Sequence, residues 1–544
     1  MTESGATIIV GMIVGLFWYI WTAVSSTSIQ QEARSLEILE FQPAVFTLLL
    51  LPPIIFDSGY SLNHTTFFSN IGAILTFAFA GTLVAFAVTA PVLYYGLGGP
   101  NGLLTPMEAL AFSALISAVD PVATLAIFTR SGADPKLNAL IFGESVLNDA
   151  VAIVLFKTVV ELGSKTSIGT QGAAAVSAEQ LFAAVGSFCF IFVGSLAIGV
   201  LGGCTIALFF KMVALHSLPH EEAAPAELIV LVCLSYATFL LAEYAKLSGI
   251  VAALFGGAVS VIYVQRNLSP KGSRLCKTVV STLAKFTETV VFLLIGYGFW
   301  LYTLGHTSTS IAALHPEAAS GRNLTTLPLN SPCLPPDINQ VSGAFILLTL
   351  SMCLISRAVA TFPLAFIANL FRSRSNQIKY NEQCVIWFSG LRGAIALALA
   401  VEFPTADEVA IEHTGSFCYQ RDHVVSCTIV VVLATVFLMG GLTKPVLRLA
   451  GIDMGVSKQK VPLKNVSRYP LKNKLRWLDT NIIRPVLVST VEPGAEHPSH
   501  ASRPTLPPAA ADSRARPICT PPAAVEGAGA PSPDSSASAE MQEL

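Results

Sequence analysis

Long apolar runs recur along most of this chain. Windows of roughly 19 residues, the length with which a helix crosses a bilayer, find about twelve such runs before residue 450. Only 12% of the 544 residues are charged, whereas soluble domains carry about 25%. The sequence therefore predicts an all-α polytopic membrane protein with about twelve transmembrane helices.

The end of the apolar runs divides the chain into three predicted parts. Residues 1–450 form a transmembrane domain, 451–491 a cytoplasmic juxtamembrane segment, and 492–544 a disordered tail rich in Pro, Ala and Ser. For residues 471–486 two interpretations are open. They form either a short amphipathic helix that lies on the membrane or on a partner protein, or a plain linker. The predicted spans are 5–24, 42–57, 71–95, 107–128, 139–161, 181–213, 226–244, 248–264, 278–304, 341–371, 383–403 and 424–449.

Positive charges in short loops predict the orientation. Lys and Arg, including Arg130, Arg266 and Arg372, fall in alternate loops, all of which can be cytoplasmic together. With an even number of spans, both termini are then cytoplasmic too. The loop 305–341 lies on the opposite side, and its sequon makes Asn323 the glycosylation candidate.

Composition excludes several classes of function. The formal net charge of -2 offers no basic surface for nucleic acid, and the 10 Cys show no metal or redox spacing. No segment outside the spans, apart from the tail, is large enough to fold around an active site. We therefore expect that the protein is not an enzyme and binds no cofactor. Its expected surroundings are membrane lipids.

One apolar span carries a polar face. Ionisable groups inside a membrane helix cost about 2.5 to 3.5 kcal/mol or more and usually mark function. In the span 139–161, Glu144, Ser145, Asn148 and Asp149 share adjoining stripes at helical spacing. A carrier of both cations and protons needs a carboxylate that is either ionised and cation-bound or protonated. Asp149 is the candidate exchange residue, with Asn148 and Ser145 as further cation ligands.

Asn148 adds an amide without a second titrating charge. With one variable carboxylate, exchange of one cation for one proton without net charge movement is the simplest stoichiometry. In the alternative interpretation, Asp149 only anchors a neighbouring helix by a hydrogen bond.

The span 107–128 is interrupted at Asp120 and Pro121. Proline breaks the helical hydrogen bonds and frees backbone carbonyls, which places Val119 among the predicted cation ligands. Transporters often build ion sites from such broken helices at mid-membrane. Asp120 is either a direct ligand or an electrostatic partner of a positive half-helix end.

Arg392 lies between Gly390 and Gly393 inside the span 383–403. Glycines there permit unwinding and close helix approach. The guanidinium needs a buried anion, for which Glu144 and Glu288 are the candidates.

Other charged residues receive simpler interpretations. Arg357, Lys444 and Arg448 are assigned to span ends, from which their side chains snorkel to the interface. Asp57 is assigned an entrance or capping role at the end of its span.

Two alternative functions predict other features. A channel or an electrogenic transporter predicts a second acid at position 148 or a continuous polar pore, and neither is present in the sequence. A membrane sensor that does not transport ions would tolerate the loss of Asp149.

Five motifs resemble the eukaryotic sodium/proton exchanger family, and most closely its endosome and Golgi branch. The resemblance extends from about residue 3 to 452. The motifs are LLPPIIFDSGYSL at 50–62, SAVDPVA at 117–123, FGESVLND at 142–149, LSGIVA at 247–252 and FSGLRGA at 388–394.

The resemblance implies an inverted-repeat antiporter fold, in which the spans with Asp120 and Arg392 are two discontinuous, crossed helices. It also implies a Glu144–Arg392 pair, a core that moves against a scaffold, and electroneutral exchange of Na+ and/or K+ for H+ at Asn148 and Asp149. The expected role is pH and cation homeostasis at the Golgi or endosomal membrane, with the plasma membrane as the alternative.

The first residues depart from the family pattern. Residues 2–6 resemble the start of the family's second span, so its first membrane helix is expected to be missing here. That helix contributes to the family's homodimer, which we therefore expect to be weakened.

Overall fold

The computed structural model describes residues 3–25, 43–62, 64–99, 104–120, 128, 134–165, 178–213, 220–300, 343–372, 377–404, 421–452 and 477–489. Every regular element in these ranges is a helix. Pro121, Asn323 and the predicted tail at 492–544 lie outside them.

The helices follow one another along the chain with π-helical turns inside four of them. These turns are Phe46–Leu50, Thr76–Gly81, Thr435–Gly440 and Asp479–Ile483. The helices are α1 (Glu3–Ser25), α2 (43–60), α3 (64–96), α4 (Pro106–Ser117), α5 (Pro135–Lys165), α6 (Ala178–Val213), α7 (His220–Tyr244), α8 (Gly249–Ile262), α9 (Pro270–Trp300), α10 (Gly343–Leu370), α11 (Tyr380–Phe388), α12 (Ala394–Val401), α13 (421–449) and α14 (477–487).

Nine helices in the described part of the chain are long and apolar enough to cross a membrane. They are α1, α3, α5, α6, α7, α8, α9, α10 and α13. The expected all-α polytopic class is therefore confirmed. The predicted spans 42–57, 107–128 and 383–403 correspond to shorter or interrupted helices.

Several helices extend beyond the predicted spans because hydropathy detects only their apolar parts. The helix α9 begins at Pro270 rather than at residue 278. Its start is fixed by Ser269, whose hydroxyl accepts the Gly272 N–H at 3.0 Å, as an N-cap residue does. The carboxylate of Glu227, buried on α7, accepts the Ser269 N–H at 3.0 Å. The polar first turns of α9 therefore belong to the helix although they are not apolar.

Two interrupted helices meet at the centre of the fold. The helix α4 ends at Ser117, and Ala118 is extended. The helix α11 ends at Phe388, and α12 begins only at Ala394. Between them, the Asp120 N–H donates to the Leu391 carbonyl at 2.9 Å in an antiparallel bridge. The predicted pair of crossed, discontinuous helices is confirmed, and we call this meeting point the crossing.

The helices pack in two groups. The scaffold consists of α1, α2, α7, α8 and α9, with α1 packed along α9 and α8 against α2. The core consists of α3, α4 and α5 together with α10, α11, α12 and α13. The helix α6 packs against α8 of the scaffold and α5 of the core. The crossing lies inside the core, and α9 of the scaffold packs against α12 and α13 beside it.

Glycines allow the chain to pass at the crossing. A Cβ atom on Gly393 would overlap the Asp120 carboxylate, and one on Gly390 would overlap the Arg357 side chain. Both positions therefore require glycine for space rather than for an unusual backbone angle.

We expect Gly393→Ala to destabilise the protein by about 1 to 3 kcal/mol, the usual cost of overpacking a buried site. The matched control is Gly441→Ala on α13, where an added Cβ meets nothing within 4 Å. That change should be neutral or stabilise the helix by roughly 0.5 to 1 kcal/mol. Thermal unfolding of both purified variants tests the difference, and equal melting temperatures would contradict a tightly packed crossing.

Candidate functional site

The four polar residues of α5 that the sequence singles out are all buried in the core. Glu144, Ser145, Asn148 and Asp149 are exposed by only 4%, 1%, 3% and 6%. The helix α5 brings them to the crossing, where Val119 is also buried. A small cavity lined by Val119, Glu144 and Asn148 among others lies at this point. The structure therefore brings the predicted site residues together.

Asn148 fastens the broken backbone of the first half-helix. Its Oδ1 accepts the Val119 N–H at 3.2 Å, and its Nδ2 donates to Thr82 Oγ1 at 2.8 Å. Thr82 is fully buried on α3 and directly follows the π-helical turn of that helix. Both ends of the Asn148 amide are thus engaged between α3 and the extended segment after α4. Its geometry is that of a clamp.

A corresponding clamp holds the second half-helix. Thr435, buried on α13, accepts the Arg392 N–H at 3.2 Å through its hydroxyl. In both cases a side chain from a neighbouring core helix, Asn148 of α5 or Thr435 of α13, accepts a backbone N–H that unwinding has exposed. A buried amide without such a partner would cost about 1 to 3 kcal/mol.

The Arg392 side chain serves the end of α4. It is 2% exposed, and its Nη1 donates to the carbonyls of Ser117 and Ala118 at 3.0 and 2.8 Å. The last carbonyls of a helix carry partial negative charge and lack helical partners. The buried guanidinium supplies both a positive charge and hydrogen-bond donors to this helix end.

Glu144 pairs with Arg357, which corrects the expected pair with Arg392. Arg357 Nη1 lies 3.2 Å from Glu144 Oε1, and both side chains are under a tenth exposed. The same guanidinium donates to the carbonyls of Ile386 and Trp387 at 2.9 and 3.2 Å, near the end of α11. Arg392 is already engaged at α4, so the carboxylate takes the arginine of α10 instead.

The assignment of Arg357 to a span end is therefore wrong. Arg357 lies near the middle of α10, which runs from Gly343 to Leu370. A side chain at that depth cannot reach the interface by snorkelling, which works only near helix ends. Its central place in the predicted span 341–371 was the signal that could have identified it. Thr82 and Thr435 carried no comparable signal, because buried hydroxyls are common in membrane helices.

Asp120 and Asp149 lie at the crossing with Arg392. The Asp120 carboxylate lies where a Cβ on Gly393 would be, next to the start of α12. Asp120 and Arg392 both act electrostatically on Asp149, and the Val119 N–H lies beside it. Within the described residues, four atoms of these site residues are buried without a hydrogen-bond partner: Glu144 Oε2, Arg392 Nε, Asp149 Oδ1 and Ser145 Oγ. Asp149 and Ser145 present their oxygens from adjacent turns of α5.

The remaining candidates lie on scaffold helices. Glu288 is partly buried on α9 and acts electrostatically on Asp120 at the crossing. Asp57, on the last turn of α2, accepts the Ser61 hydroxyl at 2.8 Å, a local contact. The predicted capping role of Asp57 is compatible with this contact.

Residues 1–449 match the family model described as "Sodium/hydrogen exchanger, transmembrane". The chain belongs to the sodium/hydrogen exchanger family. It is accordingly an integral, multi-pass membrane transporter and not an enzyme, as the sequence predicted.

Curated members of the sodium/hydrogen exchanger family cover most of the chain. "Sodium/hydrogen exchanger 8" of Mus musculus is 35% identical over 456 residues, which are 83% of this chain and 68% of that protein. "Sodium/hydrogen exchanger 5" of Arabidopsis thaliana is 35% identical, over 81% of this chain and 73% of its own length. Human "Sodium/hydrogen exchanger 9" is 34% identical over 84% of this chain and 63% of its own.

A solved structure has the same fold. The sodium proton antiporter MjNhaP1 from Methanocaldococcus jannaschii aligns with a TM-score of 0.52, covering 82% of this chain and 92% of that one. At 16% identity the likeness shows the fold alone. The expected inverted-repeat antiporter fold of the exchanger family is thereby confirmed.

We expect Arg357→Met to destabilise the protein by about 3 to 5 kcal/mol, because it leaves the buried Glu144 carboxylate without its partner. The double variant with Glu144→Gln should recover part of this loss. The control is Arg484→Met, which breaks a partly exposed pair with Asp479 and should cost about 0 to 1 kcal/mol. Thermal unfolding in detergent tests all three, and a double variant no better than the single would contradict the ion pair's role.

Proposed function

We propose that this chain is a secondary-active antiporter that exchanges Na+ and/or K+ for H+, one for one and without net charge movement. The observation that carries the proposal is the buried Asp149 carboxylate at the crossing, with Oδ1 and the nearby Ser145 hydroxyl free of hydrogen-bond partners within the described residues. Buried polar atoms without partners are costly and point to a missing ligand. A dehydrated monovalent cation takes such oxygens as ligands.

The charges at the crossing support a single exchanged charge. Among the described side chains of the core there, Arg357 and Arg392 are positive, whereas Glu144, Asp120 and Asp149 are acidic. Glu288, which acts electrostatically on Asp120, belongs to the scaffold. With the five core groups ionised, one negative charge of the moving core is left over. One monovalent cation or one proton compensates it equally well, and a second cation would not be compensated. This balance favours electroneutral exchange of one cation for one proton.

Each site residue then has a role. Asp149 holds the cation or the proton in turn, and Ser145 and the Val119 carbonyl supply neutral oxygens. Asn148 keeps the broken segment in place through the Val119 N–H. Arg392 and Asp120 balance the half-helix ends electrostatically.

Alternating access requires the core to move against the scaffold, and two polar contacts join these groups at one end of the site. Lys157 of α5 lies 3.2 Å from Glu243 of α7. Glu402, which follows α12, accepts the hydroxyl of Thr47 on α2. Lys157 stands eight residues beyond Asp149, and Glu402 stands eight residues beyond Ala394. At 1.5 Å per residue, each is about 12 Å further along its helix. We call these two contacts the tether.

The tether supports a conformation that is closed at this end, which is the outer or lumenal end in the predicted orientation. An exchanger in the other conformation must break both contacts. The cellular role that we infer is pH and cation homeostasis. The resemblance to the endosome and Golgi branch supports placement in those membranes, with the plasma membrane as the alternative. A homodimer formed through the scaffold remains part of the proposal.

The central test is cation-driven proton flux in proteoliposomes, with sodium and potassium gradients and the membrane potential clamped. We expect flux in the wild type that does not respond to voltage, and none in Asp149→Asn, because the amide cannot carry a proton in exchange. The Michaelis constants then give the cation preference. Ser145→Ala should retain flux with a raised KM for the cation, since one neutral ligand is lost.

The matched control for Ser145 is Ser260→Ala, a buried serine of the scaffold helix α8 that also lacks a hydrogen-bond partner within the described residues. It should leave KM unchanged. Normal transport by Asp149→Asn would refute the proposed exchange site, and voltage-dependent flux would refute electroneutrality.

The tether predicts a change in sidedness. Lys157→Met or Glu402→Gln should favour the conformation open at the tether end, so the apparent KM for cation on that side should fall severalfold by population shift. The control Lys136→Met breaks a 3.0 Å pair with Glu382 that lies wholly within the core. Fluxes measured with cation added to each side test this. An unchanged ratio of the two KM values would argue against the tether.

A further inference from the structure

The helix α14 is fastened to the connection between α8 and α9. Asn267 in that connection is 2% exposed, and its Nδ2 donates to the Leu487 carbonyl at 2.8 Å. Its Oδ1 accepts the Ser489 N–H at 2.9 Å. Tyr263 at the end of α8 donates its hydroxyl to Asp479 Oδ1 at 2.7 Å. One buried amide therefore holds the end of α14 from both sides, and a second contact holds its start.

The end of α6 supplies another fastening. Lys211, in the last turn of α6, donates Nζ to the carbonyls of Pro485 and Val486 at 2.7 and 2.8 Å. These carbonyls belong to the last turn of α14, where a cation is favourable. Leu487 is 5% exposed and packs in an apolar cluster with Phe210 of α6. The orientation of α14 about its own axis is thus fixed by polar and apolar contacts together.

This orientation leaves a second apolar stripe of α14 uncovered. Trp477, Leu478, Ile482 and Val486 are 57%, 38%, 50% and 55% exposed. The last three recur every four residues, so they share one face of the helix. An amphipathic helix with one face already docked and another apolar face exposed needs a second apolar environment.

The stripe lies where the membrane-facing surface of α6 ends. Phe209, Met212 and Val213, on either side of Lys211, are 37%, 81% and 48% exposed. A membrane helix presents such exposed apolar residues to lipid. Lys211, which lies among them, binds α14 directly. Tryptophan near basic residues is typical of the interface between headgroups and acyl chains. The apolar surface of α6 therefore continues onto the exposed stripe of α14.

We propose that α14 is an interfacial anchor, whose stripe of Leu478, Ile482 and Val486, with Trp477 beside it, lies in the bilayer between headgroups and acyl chains, while Asn267 and Lys211 fasten its other face to the scaffold and to α6. Its partner is the phospholipid surface. The anchor holds α6, α8 and α9 at the level of the membrane surface, and the core moves relative to these helices.

The test places a fluorescent label on the stripe and on the polar side of the same helix. Val486→Cys and Ile482→Cys report the stripe, and Thr480→Cys, also exposed, is the matched control. Exposed Cys189 and Cys233 are replaced by Ser, and the signal of this background is subtracted. The full-length protein is reconstituted in phosphatidylcholine nanodiscs, with or without a lipid that carries a nitroxide quencher near its headgroup. Size-exclusion elution and thermal unfolding verify that each variant is folded.

We expect the quenching lipid to reduce the fluorescence at positions 482 and 486 at least twofold more than at 480. Equal quenching at all three positions would overturn the proposal. Labels at 482 and 486 that are shielded from water but not quenched by the lipid would also overturn it, because a second copy of the chain or another protein would then cover the stripe. Two stripe positions keep the result independent of one poorly folded variant.

Discussion

The crossing depends on satisfying the backbone that two broken helices expose inside a membrane protein. Water is not available there to hydrogen-bond free amides and carbonyls, so each must find a partner within the protein. Arg392 and Arg357 bind the carbonyls near the ends of α4 and α11. Asn148 and Thr435 accept the exposed N–H groups of the two extended segments. Without these partners the two helices could not stay broken at the same depth.

The choice of arginine for the helix ends has an electrostatic consequence. A guanidinium is always charged and supplies several donors in a fixed geometry. Two buried positive charges then require buried acids, and Glu144 is held by one of them at 3.2 Å. Asp120 lies near the start of α12, where the helix end favours an anion. Asp149 is left with an oxygen that no described donor reaches. The structural solution to broken helices thus creates the environment of the proposed exchange residue.

Much of this could be predicted from the sequence because the membrane allows few structures. Long apolar runs must be helices there, which gave the polytopic class. Acids inside such a run are costly enough to be noticed, which identified Glu144 and Asp149 as candidates. The Asp120–Pro121 and Gly390–Gly393 sequences indicated where two helices break. The exchanger-family motifs added the crossed arrangement, which the backbone bridge between Asp120 and Leu391 confirms.

The sequence by itself determined the helices, their apolar character and the set of ionisable residues within them. Only the tertiary structure decided which of these residues meet. The sequence offered several arginines as partners for Glu144, and in the fold Nη1 of Arg392 binds the end of α4 while Arg357 pairs with Glu144. Lys157 and Glu402 found partners on the scaffold, and α14 docked against helices far from it in sequence. Spacing along a helix fixes which side chains share a face, but pairing between helices depends on packing, and packing is decided by the whole fold.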